Sequence, residues 1–356
     1  MIAAPKRIVI AAGGTAGHVV PALAVAHALR AEGAEVVFIG GGRAEAGLVP
    51  AAGFQLHRIA VRGLSRSDPL AAVAALALAA AAVPRARALL RRLAPDAIMG
   101  GGGYVAGPVG LAALSLRLPL VLTEADSRLG LTNRLLAPFA RRVCLAFPLA
   151  GRNGARYHVT GRPVTAGARD RAGARARFGI AEQDTCVLVF GGSQGARSLN
   201  LAALEAFVGA SFHVLHICGE RDYEQLRARP LRSGYDLRAQ LDIEDFADAL
   251  AAADLAVARA GGSVFEIAAH GLPAILVPYP HAAGDHQSAN ARWMAGAGAA
   301  ITLADADLSG ARLAREVASL LADGARMAAM ATASGALARP DAAGEVAREL
   351  MRAAGP

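Results

Sequence analysis

The chain has 356 residues, with 37 Lys and Arg against 29 Asp and Glu, a formal net charge of +8, and 54% hydrophobic residues. That apolar content with only 19% charged residues excludes a disordered chain, and the length allows two domains, each with a full core. Three scattered cysteines, Cys144, Cys186 and Cys218, exclude a disulfide framework and a zinc ribbon, and 4% aromatics are too few for base stacking, so no nucleic-acid partner is expected.

The chain opens directly on a strand-like run without the pattern of a secretory leader, so the expected compartment is the cytoplasm. Strand candidates follow at 7–12, 35–40, 56–61, 96–100, 120–123 and 143–147, then at 186–190, 213–218, 241–243, 254–258 and 274–277. Helical stretches at 21–32, 44–52, 131–140, 200–208, 264–270 and 290–297 alternate with them, which reads as α/β with parallel sheets. Residues 151–174 lack apolar periodicity, and a hinge is expected near 161–165. The Ala-rich run 69–84 falls short of the ~20 apolar residues a spanning helix needs. Arg85, Arg87, Arg91 and Arg92 follow it. The pair reads either as a buried helix with a solvated face beyond it or as an element lying on an anionic membrane.

Each half begins with a strand, a glycine-rich turn and a helix: Gly13-Gly14-Thr15-Ala16-Gly17-His18 in the first, Gly191-Gly192-Ser193-Gln194-Gly195-Ala196 in the second. Such turns let backbone N–H groups approach an anion at a helix start, and two facing halves would bind a ligand at the carboxyl ends of their sheets. Neither turn is a dinucleotide or P-loop fingerprint, which disfavours a nicotinamide dehydrogenase. His18 suits a general base, although a lone histidine is more often structural. Ser263 and Glu266 have the spacing of a capping box, or Glu266 serves a ligand's vicinal hydroxyls. His281, Asp285 and His286 lack a metal-ligand spacing and better suit sugar hydroxyls. Gly100 to Gly103 with Tyr104, and Thr123-Glu124-Ala125-Asp126, close two further strands at the same edge.

In order, GGTAGHVVPALAVA, GGGYVAGP, VFGGSQGARSLN and RAGGSVFEIAAHGLPAILVPYPHAAGDHQSANA resemble the MurG family of N-acetylglucosaminyltransferases. The resemblance implies two Rossmann-like parallel-sheet α/β domains facing across a cleft, the glycosyltransferase-B arrangement. The first, 1–162, would face acceptor and membrane, with a helix at about 340–356 packing back on it; the second, 163–339, would bind the UDP-sugar. The implied reaction transfers N-acetylglucosamine from UDP, with inversion, to the 4-hydroxyl of undecaprenyl-diphospho-muramyl-pentapeptide, without cofactor or metal. It would take place at the cytoplasmic face of the plasma membrane, with residues 69–93 on the anionic surface. Rival readings are a related glycolipid glycosyltransferase, a UDP-sugar epimerase, or a non-catalytic UDP-sugar-binding protein.

Matched residue by residue, the resemblance makes His18 and Glu124 catalytic, His18 as the base. Thr15, Ala16, Gly17, Ser193 and Gln194 would meet the donor sugar and diphosphate, and Ile243 the uracil. Arg259, Ser263, Val264, Phe265 and Glu266 would line the donor site, with Glu266 on the ribose and His286 and Gln287 on the sugar hydroxyls. Tyr104, with Glu124, would face the acceptor. Asp126 and Arg162 stand where the family usually has asparagine, and Ala16 replaces a glycine. Ionised, Asp126 cannot donate the hydrogen bond an amide would.

Overall fold

A computed structural model describes residues 4–63, 68–164, 170–192 and 195–355. The chain forms two compact units, Met1–Val164 with Arg339–Pro356, and Thr165–Ala338. Unit 1 holds β1 (Arg7–Ala11), α1 (Ala16–Ala31), β2 (Glu35–Gly40), α2 (Glu45–Ala51), β3 (Gln55–Arg58), α3 (Pro69–Leu93), β4 (Ala97–Gly100), α4 (Ala106–Ser115), β5 (Leu120–Glu124), α5 (Leu131–Leu136), β6 (Arg142–Leu145) and β7 (Tyr157–Val159). Unit 2 holds α6 (Arg171–Arg177), β8 (Cys186–Phe190), α7 (Arg197–Ala206), β9 (His213–Ile217), α8 (Glu220–Arg227), β10 (Tyr235–Arg238), α9 (Ile243–Ala252), β11 (Leu255–Ala258), α10 (Val264–Ala269), β12 (Ala274–Leu276), α11 (His286–Gly296), β13 (Ala300–Thr302), α12 (Gly310–Leu321) and α13 (Gly324–Ala336). The last helix, α14 (Ala342–Ala354), belongs to unit 1.

Each unit is built on one parallel sheet, ordered β3-β2-β1-β4-β5-β6-β7 in unit 1 and β10-β9-β8-β11-β12-β13 in unit 2. In β1, Ile8 and Ile10 pack with α1 and α14, while Val9 and Ala11 pack with α3 and α4 on the opposite face. All four side chains are fully buried. Strands covered on both faces are continuous apolar runs, so 35–40 and 186–190 are legible as strands without alternation. In both sheets the order reverses beside the unit's first strand, at β1/β4 and β8/β11. Loops leaving the carboxyl ends there turn opposite ways and open a crevice.

Four local readings change. Residues 241–243 are not a strand: the Asp242 carboxylate accepts the Asp245 N–H at 2.8 Å and caps α9, so Ile243 opens a helix. The short strands β7, β10 and β13 were not expected; β7 lies inside 151–174, where no periodicity shows. Helix α1 begins at Ala16 rather than at Pro21, which sits in its interior. The apolar and basic segments of 69–93 are one 25-residue helix, α3, started by the Asp68 side chain and continuing through Pro84. Val73–Leu93 is long and apolar enough to cross a bilayer by composition. Its Ala82, Ala86 and Leu90 are nonetheless locked into the core of unit 1.

Candidate active site

The loop after β1 turns at Gly14, whose φ of 109° favours glycine, and enters α1 at Thr15. Thr15 makes no side-chain cap, and the N–H groups of Ala16 and Gly17 have no partner among the described residues. Such orphan donors at a helix start suit an anion. Pro21 has no N–H for the carbonyl of Gly17 one turn earlier, and the Arg162 guanidinium donates to that carbonyl at 2.6 Å. The substitution at position 162 thus ties the chain beyond β7 to the first turn of α1.

His18 lies half-buried in that turn, under the loop after β4. A Cβ on Gly102 would stand 2.8 Å from His18 Nδ1, and one on Gly103 would stand 2.0 Å from the Gly13 carbonyl oxygen. Both glycines have positive φ, 89° and 74°, so only glycine fits this lid over the imidazole. Burial lowers the His18 pKa, the Arg162 cation lowers it further, and Asp126 opposes them. The ring is therefore neutral near pH 7 and able to accept a proton.

His18, Glu124 and Arg162 line one pocket, whose apolar wall includes Met99, Cys144 and Val346. Glu124 is only 7% exposed. Its oxygens accept from the N–H groups of Gly130 (2.7 Å) and Asp126 (3.1 Å) and from Asn133 Nδ2 (3.0 Å). Burial raises its pKa against those three donors. These bonds tie the Glu124 carboxylate to the loop after β5, in the pocket that His18 also lines.

Glu45 was not singled out in the sequence. It is fully buried and accepts the N–H groups of Gly14 and Gly41, each at 2.8 Å. Burial pushes its pKa up, but backbone donors, Gly14 first, outweigh this and hold it below the usual range. The Tyr104 hydroxyl lies 3.5 Å from the same carboxylate, and its ring lies against Gly14. The one signal for Glu45 was an acid near the start of a helix, three residues after the last of the glycines closing β2.

In unit 2, loops after β8, β11 and β12 meet at the carboxyl edge. Gly195, at φ 70°, packs where a Cβ would come 2.2 Å from the Cys218 carbonyl oxygen. Ser193 and Gln194 lie outside the described residues. Gln287 Oε1 accepts the Tyr279 N–H at 2.8 Å, and Asn290 Nδ2 donates to the Ala260 carbonyl at 3.0 Å, so α11 holds both neighbouring loops. Glu266 and His286 are half-buried at that edge, and Ile243 is 38% exposed at the start of α9.

Three features of unit 2 bear on the expected donor contacts. Arg259 is 6% exposed, and its guanidinium is engaged with Ser198 Oγ (2.7 Å), the Val277 carbonyl (3.1 Å) and Asp305 (2.7 Å). It ties α7, the end of β12 and Asp305 together beneath the loop after β11. The side chains of Val264 and Phe265 are buried, and their N–H groups donate to Gly261 and Gly262. Ser263 is itself helical and makes no side-chain cap, so the capping box does not form. Among the described residues no group of three or more His, Cys, Asp or Glu side chains is placed to hold a metal ion.

Residues 8–145 match the glycosyltransferase family 28 N-terminal domain, and residues 186–346 its C-terminal domain. The chain is 46% identical over 352 residues to the UDP-N-acetylglucosamine--N-acetylmuramyl-(pentapeptide) pyrophosphoryl-undecaprenol N-acetylglucosamine transferase of Halorhodospira halophila, covering 96% of this chain and 97% of that one. The protein of the same name from Moorella thermoacetica is 41% identical, at 97% and 98% coverage. Among solved structures, Acinetobacter baumannii MurG superposes with a TM-score of 0.77 at 31% identity, covering 98% of this chain and all (100%) of that one. The calicheamicin glycosyltransferase CalG4 shares the fold, with a TM-score of 0.71 at 19% identity.

Proposed function

The chain belongs to the MurG family of glycosyltransferase family 28, and from that membership we infer that it transfers N-acetylglucosamine from UDP-N-acetylglucosamine to lipid-linked muramyl-pentapeptide, forming the disaccharide precursor of peptidoglycan. It is a UDP-N-acetylglucosamine-dependent hexosyltransferase. The observation that carries the mechanism is a half-buried, neutral His18 beside two N–H groups that have no partner among the described residues.

An inverting displacement needs a base for the acceptor hydroxyl and stabilisation for the departing diphosphate. His18 takes the proton of the acceptor's 4-hydroxyl as that oxygen attacks the anomeric carbon. The bond to the UDP oxygen breaks, and the electron pair leaves with the diphosphate. In unit 2 the loop 191–196, with Ser193 and Gln194, and the start of α7 receive that charge. Ile243 covers the uracil, Glu266 accepts from the ribose hydroxyls, and His286 and Gln287 read the sugar. Gln287 enters this role with its oxygen already fixed by Tyr279, so its orientation is set before the donor binds. Thr15, Ala16 and Gly17 approach the donor sugar, with Asp126 and Arg162 bordering the donor, while Tyr104 faces the acceptor.

The enzyme works as a peripheral protein on the cytoplasmic membrane surface. Leu70, Val73 and Leu76, spaced three apart on α3, are 83%, 64% and 56% exposed, and Leu131 and Leu135 on α5 are 53% and 64% exposed. In a parallel α/β unit each helix starts at the carboxyl edge, so these side chains lie at the same edge as His18. Exposed arginines, Arg134 among them, add about 1 kcal/mol each near anionic lipid. No nucleic-acid partner is part of this reading.

The test is transfer of labelled N-acetylglucosamine from its UDP donor to a lipid-linked muramyl-pentapeptide in the presence of a chelator. Label in the lipid phase with equal UDP release supports the reading. UDP binding without transfer, with or without added metal, contradicts it.

A further inference from the structure

Glycine-rich turns of this kind are usually read as cradles for a phosphate, yet in unit 1 part of the cradle is filled from within. Three glycines make room for one side chain: a Cβ on Gly13 would stand 2.7 Å from Glu45 Oε1, one on Gly40 2.8 Å from Glu45 Cγ, and one on Gly41 2.9 Å from Oε1. The buried carboxylate takes one N–H from the loop after β1 and one from the loop after β2, so it joins two loops that share no other side-chain hydrogen bond among the described residues. Gly14, the residue it holds, immediately precedes the cap of α1, and His18 follows within the first turn. Tyr104 closes the arrangement from the third loop, its ring against Gly14 and its hydroxyl toward the carboxylate.

We propose that Glu45 is an internal anion that occupies the Gly14–Gly41 half of the cradle and thereby positions His18, leaving the Ala16 and Gly17 N–H pair as the donors for a substrate's anionic group. Glu45 touches no substrate; it is a positioning residue, and the proposal rests on His18 being the base. A phosphate of the donor or the acceptor meets the start of α1 and not Gly14, whose N–H is already spent. Removing the carboxylate lets the Gly14 turn relax and moves the imidazole. A displacement of about 1 Å at a reacting group is enough to lower turnover by about a hundredfold.

The experiment compares wild type with Glu45→Ala and Glu45→Gln, reading kcat, the KM for UDP-N-acetylglucosamine, and thermal unfolding with and without sodium formate, with sodium chloride as the salt control. Both variants are expected to lose about tenfold to a hundredfold in kcat with the donor KM unchanged. Formate is a free carboxylate of the right size for the vacated cradle. It should raise the melting temperature of Glu45→Ala and return part of its kcat, with no effect on wild type. Glu45→Gln keeps the volume but sets an amide N–H₂ against a backbone donor; it carries the test if the alanine variant does not fold. Wild-type kcat in either folded variant overturns the proposal, as does a loss of kcat in Glu45→Ala that formate leaves untouched in both rate and melting temperature. Absence of transfer by wild type would instead strike the reaction assigned above. The formate-dependent melting shift needs no activity, so it separates the two failures.

Discussion

At the carboxyl edge of unit 1 the loops carry groups whose proton affinity is shifted by their surroundings: His18 and Glu45 downward, Glu124 and Tyr104 upward. At the matching edge of unit 2 the loops are held by hydrogen bonds of Arg259, Gln287 and Asn290. The two sheets reverse order at equivalent points and start with similar glycine turns. Topology therefore does not decide which unit does chemistry. The difference lies in what each turn buries: a histidine and carboxylates in one, a paired cation and amides in the other. We propose that proton transfer belongs to unit 1 and presentation of the nucleotide-sugar to unit 2.

The sharpest break in that comparison is Arg259→Ala. It leaves Asp305 with the Ser198 hydroxyl alone and the Val277 carbonyl without its donor, and leaving a buried acceptor unsatisfied costs about 1–3 kcal/mol. Denaturant unfolding should show that loss in unit 2 together with a raised donor KM. A raised KM with full stability would return Arg259 to direct ligand contact.

The two units also use histidine in opposite ways. His216, fully buried in unit 2 between the Tyr235 hydroxyl (2.8 Å) and Asn200 Oδ1 (3.1 Å), has its pKa lowered by burial from 6.5 to about 3. Between those values the unfolded chain binds a proton that the folded chain refuses, so stability falls as pH falls from 6.5 toward 3. His216→Gln should flatten that acid slope in a pH series of melting temperatures. An unchanged slope would mean that other groups set it.

Exchange of the outward leucines tests a surface, not a loop. Leu76→Ser with Leu135→Ser removes two exposed apolar side chains, and withdrawing only two CH₂ groups from lipid at ~0.8 kcal/mol each lowers affinity by about tenfold, so vesicle affinity should drop by at least that factor. Turnover on a detergent-dispersed acceptor should stay near wild type. Co-sedimentation with anionic vesicles reads the first effect, and equal binding by the double variant would move the membrane contact elsewhere.

Smaller shifts come from the two charges around His18. Arg162 lowers its pKa and Asp126 raises it, so the acid limb of kcat/KM against pH should move to higher pH in Arg162→Ala and to lower pH in Asp126→Asn. Movement in the same direction for both would remove His18 from that limb.

Strands buried on both faces could be read from the sequence because their whole length is apolar, as in CVLVF of β8. Three of the four edge strands, β7, β10 and β13, could not. β10 reads Tyr-Asp-Leu-Arg and β7 Tyr-His-Val, with only one covered neighbour each, and the nearby apolar fragment at 241–243 drew the assignment instead. Within the site, motif matching named His18, Glu124 and Gln287 at positions the fold does bring to the carboxyl edges. It could not tell a side chain that faces outward from one that faces inward, and the side chains of Arg259, Val264 and Phe265 are buried. Glu45 escaped for a related reason: its partners are backbone N–H groups, and a carboxylate bound to backbone leaves no second residue type in the sequence to pair it with.

The most direct test of the division between the units is His18→Ala, with turnover and UDP binding measured on one preparation. Loss of a general base predicts a kcat lower by about a hundredfold to ten-thousandfold, with calorimetric UDP affinity equal to wild type. Undiminished turnover, or a parallel loss of UDP binding, would contradict the claim that unit 1 carries the proton chemistry and unit 2 the donor.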